Sequence, residues 1–451
     1  MARCKNNCGN HGISRRHFLF GGIGAIGGSL LHTVRSEAQG PVVAKPRNTA
    51  KACIFINLAG APSHLDTFDA KEGSWNAADL DFEKYSGGVM LSRKFYPMLS
   101  GMTGDLLFLH SVSSWEAVHQ RGQFYMQTNH SFNPAFAPVL PHIGAVAGYE
   151  KMSPTLPLPP FFSFSPAGDE QRQGFLPGTS TPFTFFPNTN GLGNLQHNFW
   201  GNQSQAFFDR SFSLMQALDA PLMTKPLSAE MAAYSQVVGQ ARQLIYNDAV
   251  DRTFKFSLAD QTRYGNTNIG RGLIVARNLI QSKLGAVFIS VTHGGWDLHS
   301  QQFNRNVGTN LYTLNNDLDR ALGNLISDLR ASGDLSTTLI VALGEFGRTP
   351  GPLNSAYGRD HYMNAMSALL LGGGIRGGRA IGTTDATGSR LVDFGWSRER
   401  PIYIEDIVST IYSALGIDWT KSLDGAQEGR RYYYVLGAAN NSFGPIEEVF
   451  A

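Results

Sequence analysis

The chain has 451 residues, 42% of them hydrophobic and 16% charged, with a formal net charge of +2. That length supports one large domain with its own core, or a domain carrying a substantial insertion. The positive balance belongs to the N-terminus. Taking Arg3, Lys5, Arg15, Arg16, Arg35 and Glu37 from 37 basic and 35 acidic residues leaves 32 basic against 34 acidic. No basic cluster remains to meet a phosphate backbone, which excludes a nucleic-acid-binding surface.

The chain begins with Ser14-Arg15-Arg16-His17-Phe18-Leu19-Phe20, followed by a Gly-rich apolar run to Leu31. An arginine pair, an apolar residue two places later and a mild apolar run form the twin-arginine export pattern. The run is too short for a permanent membrane span. Ser36-Glu37-Ala38 offers the small residues a signal peptidase prefers, so residues 1–38 are predicted to be a cleaved signal peptide. The twin-arginine translocase is then the partner during export, and the location is periplasmic or extracellular. Gly22-Ile23-Gly24-Ala25-Ile26-Gly27 fits the dinucleotide fingerprint by letter only, since no strand precedes it and no acidic ribose partner follows. Cys4 and Cys8 fall in the same segment. Cys53 is left alone in an apolar run and reads as a buried packing residue.

Residues 39–451 are predicted to form a single domain. Short apolar runs without alternation mark buried strands at 51–58, 106–110, 286–292, 338–343 and 365–371. Helical patterns cover about 229–248, 272–284, 311–331 and 406–415. The clearest is the third, with Leu314, Leu318, Leu322, Ile326 and Leu329 on one face. Such strands between amphipathic helices argue for a three-layer α/β/α sandwich with a mostly parallel central sheet. Residues 153–212, rich in Pro, Gly, Asn and aromatics, are expected to be an irregular insertion packed over the sheet. It serves either as a pocket wall or as a belt closing the fold.

Acidic residues and histidines gather just past predicted strand ends, where open α/β sheets place their ligands. The segments are 60–69 with His64 and Asp66, 294–299 with Asp297 and His299, 344–350 with Glu345 and Arg348, and 358–361 with Asp360 and His361. A divalent cation needs several oxygen and nitrogen ligands converging from different loops. Four such clusters favour a metal site over a purely structural polar network.

These motifs, behind a twin-arginine signal, resemble the large bacterial family known as domain of unknown function 1501. That family is related to the alkaline-phosphatase-like superfamily of sulfatases, nucleotide pyrophosphatases and cofactor-independent phosphoglycerate mutases. The resemblance runs over nearly the whole mature chain, including Gly372-Gly373-Gly374 and Gly382-Thr383-Thr384-Asp385. It implies an alkaline-phosphatase-like fold and divalent metal ions, up to two, of zinc, manganese or calcium. Asp66 matches the metal-binding aspartate after the first strand. Asp297 and His299 resemble the pair holding the second metal position, and His361 the later histidine of the other site. Gly344-Glu345-Phe346-Gly347 occupies the place of an Asp-His-Gly motif. Glu345 can replace the aspartate, but Phe346 cannot ligate, which leaves His64 or Asp360 as substitutes. The nucleophile's place falls on Ser111–Trp115, with Ser113 and Ser114 as hydroxyl candidates and His119 on the ensuing helix. A serine there either attacks the ester or caps the helix. No Cys/Ser-x-Pro-x-Arg sequence exists to support a formylglycine sulfatase. Arg348 or Arg359 either binds an anionic ester or pairs with a carboxylate. The implied function is a periplasmic metal-dependent hydrolase of a small phosphate or sulfate ester. The alternative is a non-catalytic exported scaffold or binding protein that retains the fold.

Overall fold

Six consecutive buried residues, Ala52–Asn57, leave no solvent-facing side to strand β1, as expected of a strand covered on both faces. The structure is a computed structural model that describes residues 43–165, 171–189, 191, 205–224, 229–245, 247–427 and 430–450. The predicted signal peptide lies outside the described residues, as does part of the predicted insertion. The chain divides into two compact units after Gly40, and everything described belongs to the second, Pro41–Ala451.

The main sheet continues with β2 (Leu107–Val112), β3 (Phe161–Phe164), β4 (Phe183–Phe185), β5 (Phe288–Thr292), β6 (Thr338–Leu343), β7 (Met366–Leu371) and β8 (Arg379–Ile381). Their order across the sheet is β8-β2-β7-β6-β1-β5-β3-β4. β1 runs parallel to β5 and β6, with Cys53 opposite Phe288 on one side and Leu339 on the other. Only β7 opposes its neighbours, β2 and β6. The sheet is therefore mostly parallel, and all five strands expected from the sequence are in it.

The insertion departs from expectation. Its Phe161–Phe164 and Phe183–Phe185 do not lie over the sheet but extend its edge, in parallel, beside β5. The cause is aromatic packing. Phe162, Phe183, Phe185 and Phe254 pack their rings at tilted or edge-on angles, with centroids 5.6–6.0 Å apart, and phenylalanine suits a pleated surface.

Helices α1 (His119–Thr128), α2 (Ile143–Lys151), α3 (Gln205–Thr224), α4 (Ala229–Leu244), α5 (Asn268–Ser282), α6 (Leu311–Ala331) and α7 (Ile404–Ala414) complete the layers. Alternate residues of β1 point to opposite cores. Ile54 and Ile56 join α5 and α6, whereas Cys53 and Phe55 join α2 and α7. This is the expected α/β/α sandwich. α6 begins where the Asn310 side chain accepts from Tyr312 N and Thr313 N, satisfying donors the helix cannot. Its Leu314, Leu318, Leu322 and Leu329 are buried, each contributing about 1.5–3 kcal/mol. No described helix is long and apolar enough to cross a membrane.

Because β1, β5 and β6 are adjacent and parallel, their C-terminal loops emerge side by side. Those loops carry Gly60, Asp297 and Glu345.

Candidate metal centre

Two glycines let the loops close on one another. Gly60 has φ +106, and a Cβ there would fall 2.5 Å from Asp297 N; at Gly358 it would fall 2.1 Å from His299 C. Larger residues would hold the strand-end loops apart.

What the loops bring together is a group of four side chains: His119, Asp297, His299 and His361, with one ligand atom of each within 4.8 Å of all the others. Asp297 Oδ1 stands 3.0 Å from His119 Nε2, 3.0 Å from His299 Nε2 and 3.6 Å from His361 Nε2. His299 Nε2 and His361 Nε2 face one another at 3.1 Å. The opposite ring nitrogens all reach outward to acceptors. His119 Nδ1 meets Glu345 Oε1 at 2.6 Å, His299 Nδ1 meets Asp360 Oδ1 at 2.9 Å, and His361 Nδ1 meets Ala117 O at 2.7 Å.

That outward bonding assigns the tautomers. Carboxylates and a carbonyl only accept, so each Nδ1 carries a hydrogen and each ring turns its Nε2 inward. The three Nε2 atoms then converge on Asp297 Oδ1, which also accepts from Arg348 Nη2. His119 Nε2 is buried and makes no hydrogen bond of good geometry. Metal-bound histidines characteristically donate their second nitrogen to a carboxylate or carbonyl, as these three do. Three imidazoles and one carboxylate suit a borderline divalent ion. By its donor chemistry, the site fits.

Several groups tune the cluster. Glu345 is fully buried and also accepts from Gly60 N at 3.1 Å and Gln123 Nε2 at 2.8 Å. Its bond raises the His119 pKa against the opposing pull of burial. Burial lowers the His361 pKa. Asp297 feels burial raising its pKa, but Arg348 and His119 outweigh it and hold the carboxyl at about 2. It is ionised at any ordinary pH. Phe346, unable to ligate, packs its ring 5.0 Å from His119 and 4.7 Å from His361, fixing both imidazoles from one side.

Arg348 enters from the β6 side. Nε donates to Ala61 O at 2.9 Å, Nη1 to Arg359 O at 3.1 Å, and Nη2 to Gly60 O and to Asp297 Oδ1, the latter at 2.5 Å. Nη1 also lies 3.4 Å from His299 Nε2. Its guanidinium therefore both ties loops together and places positive charge beside the cluster.

Other residues expected at the site lie elsewhere in the network. Asp66 is buried in a bond with Arg359, Nε to Oδ2 at 2.6 Å, and also receives Ser63 Oγ and Gln302 Nε2. Its oxygens are occupied, and the partnership also removes Arg359 from any anion. His64 Nε2 donates to Gly388 O at 2.8 Å, and burial lowers its pKa; its Nδ1 is buried without a partner among the described residues. Asp360 and Glu345 stand behind the imidazoles rather than among the inward ligands. Neither serine caps α1, whose N-cap is Val118. Ser113 Oγ donates to Asn364 O, and Ser114 Oγ accepts from Glu116 N. No described hydrogen bond joins either hydroxyl to the cluster.

Sequence reasoning placed His119 near a nucleophile, not among ligands. A signal was present: His119, Gln123 and Gln127 recur at i, i+4 and i+8, one face of a helix. Gln123 and Gln127 are buried, and a buried polar stripe on a helix needs polar partners across the interface.

A three-layer α/β protein with a histidine–carboxylate centre at its strand ends is the class this geometry defines. The chain belongs to the family described as Protein of unknown function (DUF1501), whose model matches residues 50–434. No curated protein matches it. Among solved structures it is similar to the PsFucS1 sulfatase from Pseudoalteromonas sp., at 11% identity and TM-score 0.39, covering 82% of this chain and 68% of that one. It is similar to an alkaline phosphatase from the Antarctic bacterium TAB5, at 12% identity and TM-score 0.38, covering 82% and 99%. Ps i-CgsB in complex with k-i-k-neocarrahexaose shows 11% identity and TM-score 0.38, covering 82% and 72%. Likenesses at this level say nothing about activity.

Proposed function

We propose that the chain is an exported hydrolase that cleaves a phosphate or sulfate ester at a divalent cation held by His119, Asp297, His299 and His361. The observation that carries this reading is the convergence of three Nε2 atoms on Asp297 Oδ1 while every Nδ1 is held outward. A bound cation supplies Lewis-acid polarisation of an ester oxygen and activates water. The positive charge of Arg348 beside the cluster favours an anionic ester, and Glu345 and Asp360 hold two imidazoles with Nε2 inward. Ser113 and Ser114 are turned to other partners, so in this reading water attacks phosphorus or sulfur directly. One water is consumed, and an alcohol and the free oxyanion are released.

Export rests on Ser14–Phe20 and Ser36-Glu37-Ala38, which support the twin-arginine translocase as partner and a periplasmic or extracellular location.

One observation favours the non-catalytic scaffold instead. Arg348 already bridges Gly60, Ala61, Asp297 and Arg359, and so ties the loops without a cation. A screen separates the readings. Protein supplied with zinc or manganese is assayed against aryl phosphate monoesters, diesters and aryl sulfates. Turnover abolished by chelator and restored by the ion supports the hydrolase. No turnover of any class by metal-loaded protein contradicts it.

A further inference from the structure

Beside the metal centre lies a cleft of about 730 Å³, within the ~300–1,000 Å³ range of small-molecule sites. Two of its walls continue the loops that carry the cluster. His299 leads directly into Gln301 and Phe303, and Pro352–Tyr357 leads directly into Asp360 and His361. Asn354 belongs to both places: it lines the cleft, and its Nδ2 donates to His299 O at 3.1 Å. The third wall is Ser74–Ala77.

The chemistry of the lining differs from that of the cluster. No charged side chain lines the cleft. Three aromatic rings, Trp75, Phe303 and Tyr357, share it with the amides of Asn76, Gln301 and Asn354. Trp75 Nε1 and Asn76 Nδ2 are shielded from solvent and make no hydrogen bond among the described residues. Buried donors left without an acceptor require a reason to persist.

The backbone adds an independent observation. Gln301 at φ +48 and Tyr357 at φ +62 both occupy the left-handed region, although neither is glycine. The two segments hold one another there, through Gln301 N to Ala356 O at 2.9 Å and Gln302 N to Tyr357 O at 3.0 Å. Tyr357 nevertheless leaves 70% of its surface exposed. Strain of this kind persists where surrounding structure imposes it, and it clusters at ligand sites. Here it presents an aromatic ring at the cleft that the fold itself does not bury.

Aromatic faces with neutral amides, and no charge, suit a neutral ligand that has apolar faces and a polar rim. A sugar ring offers C–H faces to the negative face of an aromatic ring and a rim of hydroxyls to amides. We propose that this cleft binds the neutral sugar units of a glycan whose ester-bearing unit lies at the metal centre. The substrate would then be a carbohydrate ester. That last step rests on the hydrolase reading, whereas glycan binding by the cleft does not.

The test is calorimetric titration with neutral hexasaccharides of glucose, galactose, mannose and xylose, on metal-supplied and on chelated protein. At least one should bind in both preparations with a Kd between about 10 μM and 5 mM. Tyr357→Gly should weaken that binding about fivefold or more, by loss of the ring. Its melting temperature should hold or rise, because glycine relieves the left-handed strain. Trp75→Ala, which removes a second ring, should also weaken binding. Absence of binding by all four sugars at about 10 mM overturns the proposal. So does binding that Tyr357→Gly and Trp75→Ala both leave unchanged. Binding that survives chelation in a protein without esterase activity upholds the cleft and removes the hydrolase reading alone.

Discussion

The buried Glu345 carboxylate holds His119 Nδ1 at 2.6 Å, and so decides which nitrogen of that ring faces Asp297. Glu345→Gln keeps the shape but loses the charge and the obligatory acceptor. The variant should stay folded and bind zinc or manganese about 10–100-fold more weakly, the usual loss when a ligand's outer partner is removed. Competition against a chromophoric chelator measures this. Unchanged affinity would show that the outward bonds do not tune the cluster.

Asp66 and Arg359 form a fully buried ion pair. Asp66→Asn leaves the guanidinium charge without its partner, a change that typically costs about 3–5 kcal/mol. Denaturant unfolding should show that loss while metal content per folded chain stays at the wild-type level. Loss of metal with unchanged stability would return Asp66 to the ligand set.

Glu405, at the start of α7, packs its carboxyl against the Tyr125 hydroxyl. Burial pushes its pKa from 4.5 up to about 7, against the Tyr125 bond. Of the charged groups nearest it, Asp406 adds to the rise and Arg400, paired with Asp406, opposes it. The folded state therefore holds a proton that the unfolded state releases above pH about 4.5. The resulting stability is fully present below that pH and is lost as pH rises through about 7, on the order of 3 kcal/mol in all. Glu405→Gln should flatten the stability profile between pH 4.5 and 7.5. A variant with the wild-type slope would place the titration elsewhere.

Export should depend on guanidinium geometry. Changing Arg15 and Arg16 together to Lys preserves charge but removes the planar fork. Fractionation should find uncleaved precursor in the cytoplasm. Normal export of the double variant would refute the signal assignment.

The parts of this protein legible in its sequence are those set by local pattern. β1, β5 and β6 are buried on both faces, so their apolar runs lack alternation and stand out. The loops after them pair glycines with carboxylates and imidazoles, which marked Asp297, His299 and His361 as neighbours of a site. What stayed hidden depends on long-range choice. Asp66 and Arg359 lie 293 residues apart, and nothing local shows that the carboxylate meets a guanidinium rather than a cation. β3 and β4 sit among prolines and glycines that read as irregular, and only packing against Phe254 and Phe288 turns them into sheet. His119 follows no strand directly, and its place in the cluster comes from α1 laying its polar stripe over Glu345.

Central to the account is one cation site built from Asp297 and three imidazoles, and its metal content tests that directly. Elemental analysis of protein loaded with zinc or manganese and then desalted should find about one ion per chain in the wild type. Asp297→Asn removes the ionised carboxylate and His299→Ala removes an imidazole. Both variants should unfold cooperatively like the wild type, yet retain almost no metal. Full occupancy in both purified variants, or no binding by the wild type under loading conditions, would contradict it.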